Sequence, residues 1–217
     1  MKLILLLCFV LLKVKCDLQS EMISLHNAYR KGILDGTETR QPRAKSMPMF
    51  TWNAGMAANA QKLSDTCVFK HNTADDRKVP EFGYVGQNIF TGTGTSWTSK
   101  DAVDSWYGEI DFYKLEDNTC TKVCGHYTQI VWDKTTQIGC GRTVCSGSSV
   151  IIACDYGEGG NYVGVKPYTK SDAVASPVVV TQPPSKPTGT RDSASSVLCS
   201  NILIVGSLLL YFGLITN

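Results

Sequence analysis

Cys124-Gly125-His126-Tyr127-Thr128-Gln129-Ile130-Val131-Trp132 places one of the chain's three histidines at the head of an apolar helical turn, directly after a cysteine and glycine. Downstream of it, residues 137–145 and 148–156 alternate and cluster apolar residues in the manner of strands, and Ser146-Gly147 between them is a hairpin signal. Upstream the spacing predicts helices. Leu18, Met22, Leu25 and Tyr29 recur at helical intervals from Asp17, a candidate N-cap, to Gly32, a candidate stop. Asn53 is placed to cap a second helix whose one face carries Met56, Ala60, Leu63 and Cys67. Thr98 and Asp101 form a capping-box-like start for a third, with Val103, Trp106, Tyr107 and Ile110 as its apolar stripe. Helices early and strands late predict an α+β fold in which helices pack on an antiparallel sheet.

The ends of the chain read as addresses. Lys2 precedes an apolar run from Leu3 to Leu12, closing near Cys16, which is the pattern of a signal peptide over 1–16, too short to span a bilayer. Residues 171–192 turn to Ser, Thr, Pro, Val and Ala, a composition that builds a stalk and not a core. Residues 202–215 are apolar with nothing basic after them, which favours a GPI-attachment signal over 193–217 with Ser193 as the attachment residue. A plain membrane tail is the alternative, because the spacer at 196–201 is short. Residues 17–170 remain as one domain. Removing Lys2, Lys13 and Lys15 from 21 basic residues leaves 18 against 19 acidic ones, a balance that excludes a nucleic-acid footprint.

Of nine cysteines, Cys67, Cys120, Cys124, Cys140, Cys145 and Cys154 fall in this domain. Six in a secreted domain imply three disulfides, with the pairing left open by composition. A zinc ribbon built on Cys120, Cys124, Cys140 and Cys145 is the rival reading, disfavoured in an oxidising compartment.

Four motifs occur in order: His26-Asn27-Ala28-Tyr29-Arg30, Gly86-Gln87-Asn88-Ile89, Gly125-His126-Tyr127-Thr128-Gln129-Ile130-Val131-Trp132, and Ile151-Ile152-Ala153-Cys154-Asp155-Tyr156 leading to Gly159-Gly160-Asn161-Tyr162. Together they resemble the CAP superfamily of cysteine-rich secretory, antigen 5 and pathogenesis-related 1 proteins, and within it the glioma pathogenesis-related and venom-allergen-like members. The resemblance implies an α-β-α sandwich with a small antiparallel sheet, and disulfides Cys67–Cys145, Cys120–Cys124 and Cys140–Cys154. It also implies a cleft of two histidines and two carboxylates, matched here by His71, His126 and Glu109. The fourth position departs, because the family's Gly-Glu-Asn is Gly86-Gln87-Asn88 in this chain. Asp155 and Glu158 also stand where the family usually has other residue types.

Two imidazoles and one carboxylate, His71, His126 and Glu109, form a candidate Zn²⁺ ligand set with water in the fourth position. Gln87 keeps a hydrogen-bonding oxygen but loses the charge, which weakens the site for a hard cation and removes a general base. The same four side chains also satisfy one another without a metal. With the domain cysteines bonded no thiolate nucleophile remains, and nothing marks Ser64 or Ser105 as activated. Gly92-Thr93-Gly94-Thr95 lacks the Gly-Lys-Ser/Thr ending of a phosphate cradle and reads as a turn. His26 reads as a structural histidine, Trp52, Trp106 and Trp132 as core, and Trp97 as a loop residue open to contact.

The expected function is therefore non-enzymatic: a binding module for lipids or sterols, or for extracellular protein partners, tethered to the outer face of the plasma membrane or secreted, and requiring no cofactor. A helix-lined groove of Met22, Leu25, Val103 and Ile110 would be its lipid site. The alternative is a metal-dependent or protease-like hydrolase using His71, His126 and Glu109.

Overall fold

The computed structural model describes the backbone of residues 2–172 and the side chains from Leu18 onward. The first helix, α1 (Lys2–Asp35), runs unbroken through Asp17, which is therefore an interior residue and not an N-cap. It passes Gly32 and stops at Gly36, whose φ of +77° is the left-handed conformation that ends helices and that glycine adopts without a Cβ clash. After β1 (Thr51–Trp52) comes α2 (Ala54–Asp65), capped as expected by the Asn53 side chain accepting from the Met56 N–H. Cys67 lies past its end at φ 56°, off the helical face the spacing assigned to it.

A single turn, α3 (Ala74–Arg77), leads to β2 (Val85–Thr93). The capping box of Thr98 and Asp101 then starts α4 (Ser99–Gly108), which buries Ala102, Val103, Trp106 and Tyr107. A 3₁₀ turn (Glu109–Phe112) and a short ribbon of β3 (Tyr113–Lys114) with β4 (Thr119–Cys120) precede α5 (Gly125–Ile130). The hairpin of β5 (Gln137–Cys145) and β6 (Ser149–Gly157) completes the domain. Among the described residues no helix is long and apolar enough to cross a membrane. Beyond Ser171 and Asp172, the expected stalk and the anchor signal with Ser193 lie outside the described residues.

The four-stranded sheet has the order β1-β5-β6-β2. It is mixed and not purely antiparallel as expected, because β1 pairs with β5 in parallel. Its β2 edge was not legible as a strand. Gly92 and Thr93, read as a turn, complete β2 and pair with Val150 and Ser149. Gly92 serves a close approach, since a Cβ there would lie 2.4 Å from the Trp97 indole nitrogen.

Helices cover both faces of the sheet. On one, Ile89 and Ala153 pack against Ala60 and Leu63 of α2. There Gly139 and Gly141 let the helix backbone settle onto β5, for a Cβ at these positions would fall 2.1 Å from the Ala57 nitrogen and 2.4 Å from Gln61. On the other, Ile138, Cys140, Ile152, Cys154 and Tyr156 join Met22 of α1, Val103 and Trp106 of α4, and Tyr127 and Ile130 of α5 in the main core. Met22, Val103 and Ile110 are fully enclosed in that core, so they do not line the lipid groove expected of them. Cys67–Cys145, Cys120–Cys124 and Cys140–Cys154 are bonded, the pairing the resemblance implied.

Candidate functional site

Arg30 sets the position of α5. Fully buried, it donates to the carbonyls of Pro48, Ile130, Trp132 and Thr135 while its guanidinium lies 4.0 Å above the Phe50 ring. It thereby satisfies carbonyls at the end of α5 that the helix leaves without partners. At the other end Glu109 does the corresponding work. Its Oε2 accepts from the backbone N–H groups of His126, at 2.8 Å, and Tyr127, at 3.3 Å. Its Oε1 lies 2.7 Å from His126 Nδ1. A carboxylate only accepts, so Nδ1 carries the proton and Nε2 presents its lone pair. The ring stacks on Trp106, at 6.3 Å between centroids. The two side chains are 26% and 15% exposed, which leaves the imidazole reachable and the carboxylate largely covered.

His71 has the same arrangement with an amide in place of the acid. Its Nδ1 lies 2.8 Å from Gln87 Oε1, an acceptor, so Nδ1 again donates and Nε2 again carries the lone pair. Gln87 is held from three sides. Its Nε2 donates to Asn72 Oδ1 at 3.0 Å and to Asp155 Oδ1 at 2.8 Å, and Arg77 Nη1 approaches its Oε1 at 3.5 Å. Asp155 is the register partner of Gln87 across β2 and β6, so both side chains share the sheet face that α2 covers. The Asp155 carboxyl is fully enclosed and its Oδ2 has no hydrogen-bond partner. Burial pushes it up to about 7, opposed by the Gln87 hydrogen bond and the charge of Arg77.

Asn88, on the opposite face of β2, ties the strand to α5. Its Nδ2 donates to the His126 carbonyl at 3.1 Å and to the Tyr156 hydroxyl at 3.2 Å. That hydroxyl in turn lies 2.8 Å from His26 Nε2, whose Nδ1 lies 2.8 Å from the Met22 carbonyl. The carbonyl accepts only, so His26 donates through Nδ1 and accepts from Tyr156 through Nε2. Burial pushes His26 down to about 4 and keeps it neutral. His26 is thus the structural histidine the sequence suggested.

The expected cleft residues are therefore brought together as two pairs, His126 with Glu109 and His71 with Gln87. Among the described residues no three His, Cys, Asp or Glu side chains form a group able to hold a metal. Nε2 of His71 and Nε2 of His126 are the nitrogens with lone pairs to offer, while both Glu109 oxygens are engaged by N–H groups. An imidazole whose other nitrogen donates to a carboxylate or carbonyl is the form in which histidine binds zinc, and each of the two rings has that form. Asn72, Arg77 and the Gln87–Asp155 contact were missed by sequence reasoning. Asp155 was visible as a departure from the family pattern, but its partner depended on the register of an unread strand.

A second feature lies apart from the histidines. A cleft of about 770 Å³ is lined by Leu115, Trp132, Tyr162, Val165 and Tyr168, with Glu116, Asp133, Lys134, Glu158, Lys166, Lys170 and Asp172 around them. Gly160 packs directly on Trp132, and Tyr162 extends the aromatic wall to Tyr84, at 5.7 Å between ring centroids.

A family model described as "CAP: Cysteine-rich secretory protein family" matches residues 23–156. GLIPR1-like protein 1 of Homo sapiens is 34% identical over 158 residues, covering 70% of this chain and 62% of that protein. The match thus spans about three fifths of that relative's length. Among solved structures, Schistosoma mansoni venom allergen-like protein 4 is 29% identical with a TM-score of 0.64, covering 70% of this chain and 94% of that one. NaASP2, crystallised with Zn²⁺, is 25% identical with a TM-score of 0.60 and covers 71% and 86% respectively.

Proposed function

We propose that this chain, which belongs to the CAP cysteine-rich secretory protein family, is a non-enzymatic module that binds a lipid or sterol at the outer cell surface. The observation that carries this reading is the cleft of about 770 Å³, whose exposed apolar wall is Tyr162 and Val165, with the nearly buried Leu115, Trp132 and Tyr168 as its floor. Its volume lies in the range of small-molecule sites, and its apolar wall suits a hydrocarbon or ring system. Three lysines and four carboxylates line it, a near-balance that suits a neutral or zwitterionic head better than a strongly charged one.

The two imidazoles add an ion site. Nε2 of His71 and Nε2 of His126 would hold Zn²⁺, with solvent completing the coordination, and the bound ion would polarise a water. Glu109 and Gln87 orient the rings. Glu109, spent on three N–H groups, is poorly placed to serve as the base of a hydrolase. Secretion follows the disulfide-rich family, and tethering rests on the sequence pattern of 171–217.

Native mass spectrometry of the protein secreted from eukaryotic cells is expected to show a co-purifying lipid or sterol, and a fluorescent sterol is expected to bind saturably. Val165→Asp, which puts a charge on the half-exposed wall, is expected to weaken that binding about tenfold or more. Absence of both a bound lipid and saturable binding refutes the reading. Release of the protein from cells by a phosphatidylinositol-specific phospholipase tests the anchor separately.

A further inference from the structure

We infer that Asp155 is a positioning residue: its carboxylate fixes the orientation of the Gln87 amide and through it holds His71 as the Nδ1–H tautomer. An amide has an oxygen end and a nitrogen end of nearly equal size, so its direction is set by its neighbours. Here the neighbours are unambiguous. Asp155 Oδ1, 2.8 Å from Gln87 Nε2, belongs to an acceptor, and Arg77 Nη1, 3.5 Å from Gln87 Oε1, belongs to a group that only donates. Asn72 does not relax the constraint. Its Oδ1 receives Gln87 Nε2 and also lies 3.4 Å from Arg77 Nη1, so the same guanidinium fixes that amide too.

The consequence reaches the surface. With the oxygen end turned outward, Gln87 accepts from His71 Nδ1 at 2.8 Å, and the proton on Nδ1 leaves Nε2 as the lone-pair nitrogen. The reversed amide would present N–H to Nδ1, move the ring proton to Nε2 and remove the donor atom an ion needs. A fully enclosed carboxyl with one oxygen unpartnered is costly to keep, and orientation of the amide is the work it does. Sharing a register position across β2 and β6 gives the two side chains fixed separation, as a cross-strand pair.

Nitrogen-15 NMR at pH 8 reads the tautomer of His71 directly, with His126 as an internal control. The wild-type chain is expected to show a protonated Nδ1 and an unprotonated Nε2 at both rings. In Asp155→Leu, which removes the acceptor facing Gln87 Nε2, the ratio of Nδ1–H to Nε2–H at His71 is expected to fall about tenfold, while His126 stays unchanged. Leucine is close in size and uncharged, so the buried position tolerates it. Adding Gln87→Glu to Asp155→Leu moves the carboxylate next to His71 and is expected to restore the Nδ1–H form. Zinc titration followed by the same resonances is expected to weaken about tenfold in the single variant and recover in the double. An unchanged His71 ratio in Asp155→Leu, or no recovery in the double variant, overturns the inference. The ion site proposed above gives this tautomer its use. If zinc fails to bind the wild-type chain, that site fails, while the tautomer measurement still decides the role of Asp155.

Discussion

Glu109 accepts N–H groups from the first two side-chain-bearing residues of α5 and from the His126 ring, so one carboxylate both starts a helix and orients an imidazole. Glu109→Ala leaves those donors without acceptors in a largely covered place, and a loss of about 1–3 kcal/mol is expected in urea denaturation. Glu109→Gln keeps one acceptor oxygen and is expected to lose less. Equal losses would mean that the carboxylate is not working through these bonds. Asp155 and His26 make opposite contributions to pH dependence. Asp155, raised from 3.8 to about 7, favours the fold below the unfolded value, and that contribution is lost as pH rises toward 7. His26, lowered from 6.5 to about 4, favours the fold above 6.5, and that contribution is lost as pH falls toward 4. Between those values the slopes oppose one another. Asp155→Asn removes one of them, so its stability advantage over the wild type is expected to grow between pH 4 and pH 7, by up to roughly 1.4 kcal/mol per unit, and then level off. Denaturation curves at several pH values check this, and a constant offset would rule it out.

The elements that were legible are those whose signals are local. Thr98 with Asp101 and Asn53 ahead of an apolar stripe gave the starts of α4 and α2, because a cap acts within three residues. The β5–β6 hairpin followed from its turn and apolar runs. β2 was not legible, since Gly86, Asn88 and Gly92 carry little strand propensity and the pairing with β6 supplies what they lack. The same gap hid the contact of Gln87 with Asp155, which exists only once the register is known. Glycines in β5 pose a related problem, for they read as weak strand residues until α2 is seen against them. Gly139→Ala would drive a methyl to within 2.1 Å of the Ala57 nitrogen and Gly141→Ala to within 2.4 Å of Gln61. Backbone cannot yield as a side-chain tip can, so each is expected to cost about 1–3 kcal/mol or more, and both together to lower the thermal midpoint further. A neutral effect in calorimetry would show that α2 rides free of the sheet.

At the scale of the whole domain, the core and the disulfides divide the work of holding α2 and the sheet together. Cys140–Cys154 joins residues already opposite one another in the β5–β6 register, and Cys120–Cys124 closes a separation of only 4 residues beside α5. Cys67–Cys145 spans 78 residues and pins the end of α2 to the end of β5. Cross-linking removes more freedom from the unfolded chain the longer the loop it closes. The chain-entropy relation gives about 4.5 kcal/mol for the long loop, about 3 for the hairpin and about 2 for the shortest. The sequence supplied the six cysteines and the family resemblance their pairing, so the loop lengths behind this ranking were legible in advance; the structure adds that the sheet already holds Cys140 opposite Cys154. In the pair of serine replacements at Cys67 and Cys145, unfolding is expected to occur at markedly lower denaturant than in the pair at Cys140 and Cys154. The hairpin hydrogen bonds survive in the latter, whereas the former frees the tip of α2 from β5. The reverse order in equilibrium denaturation would place the strength of the domain in the hairpin and not in the long covalent tie across its helical face.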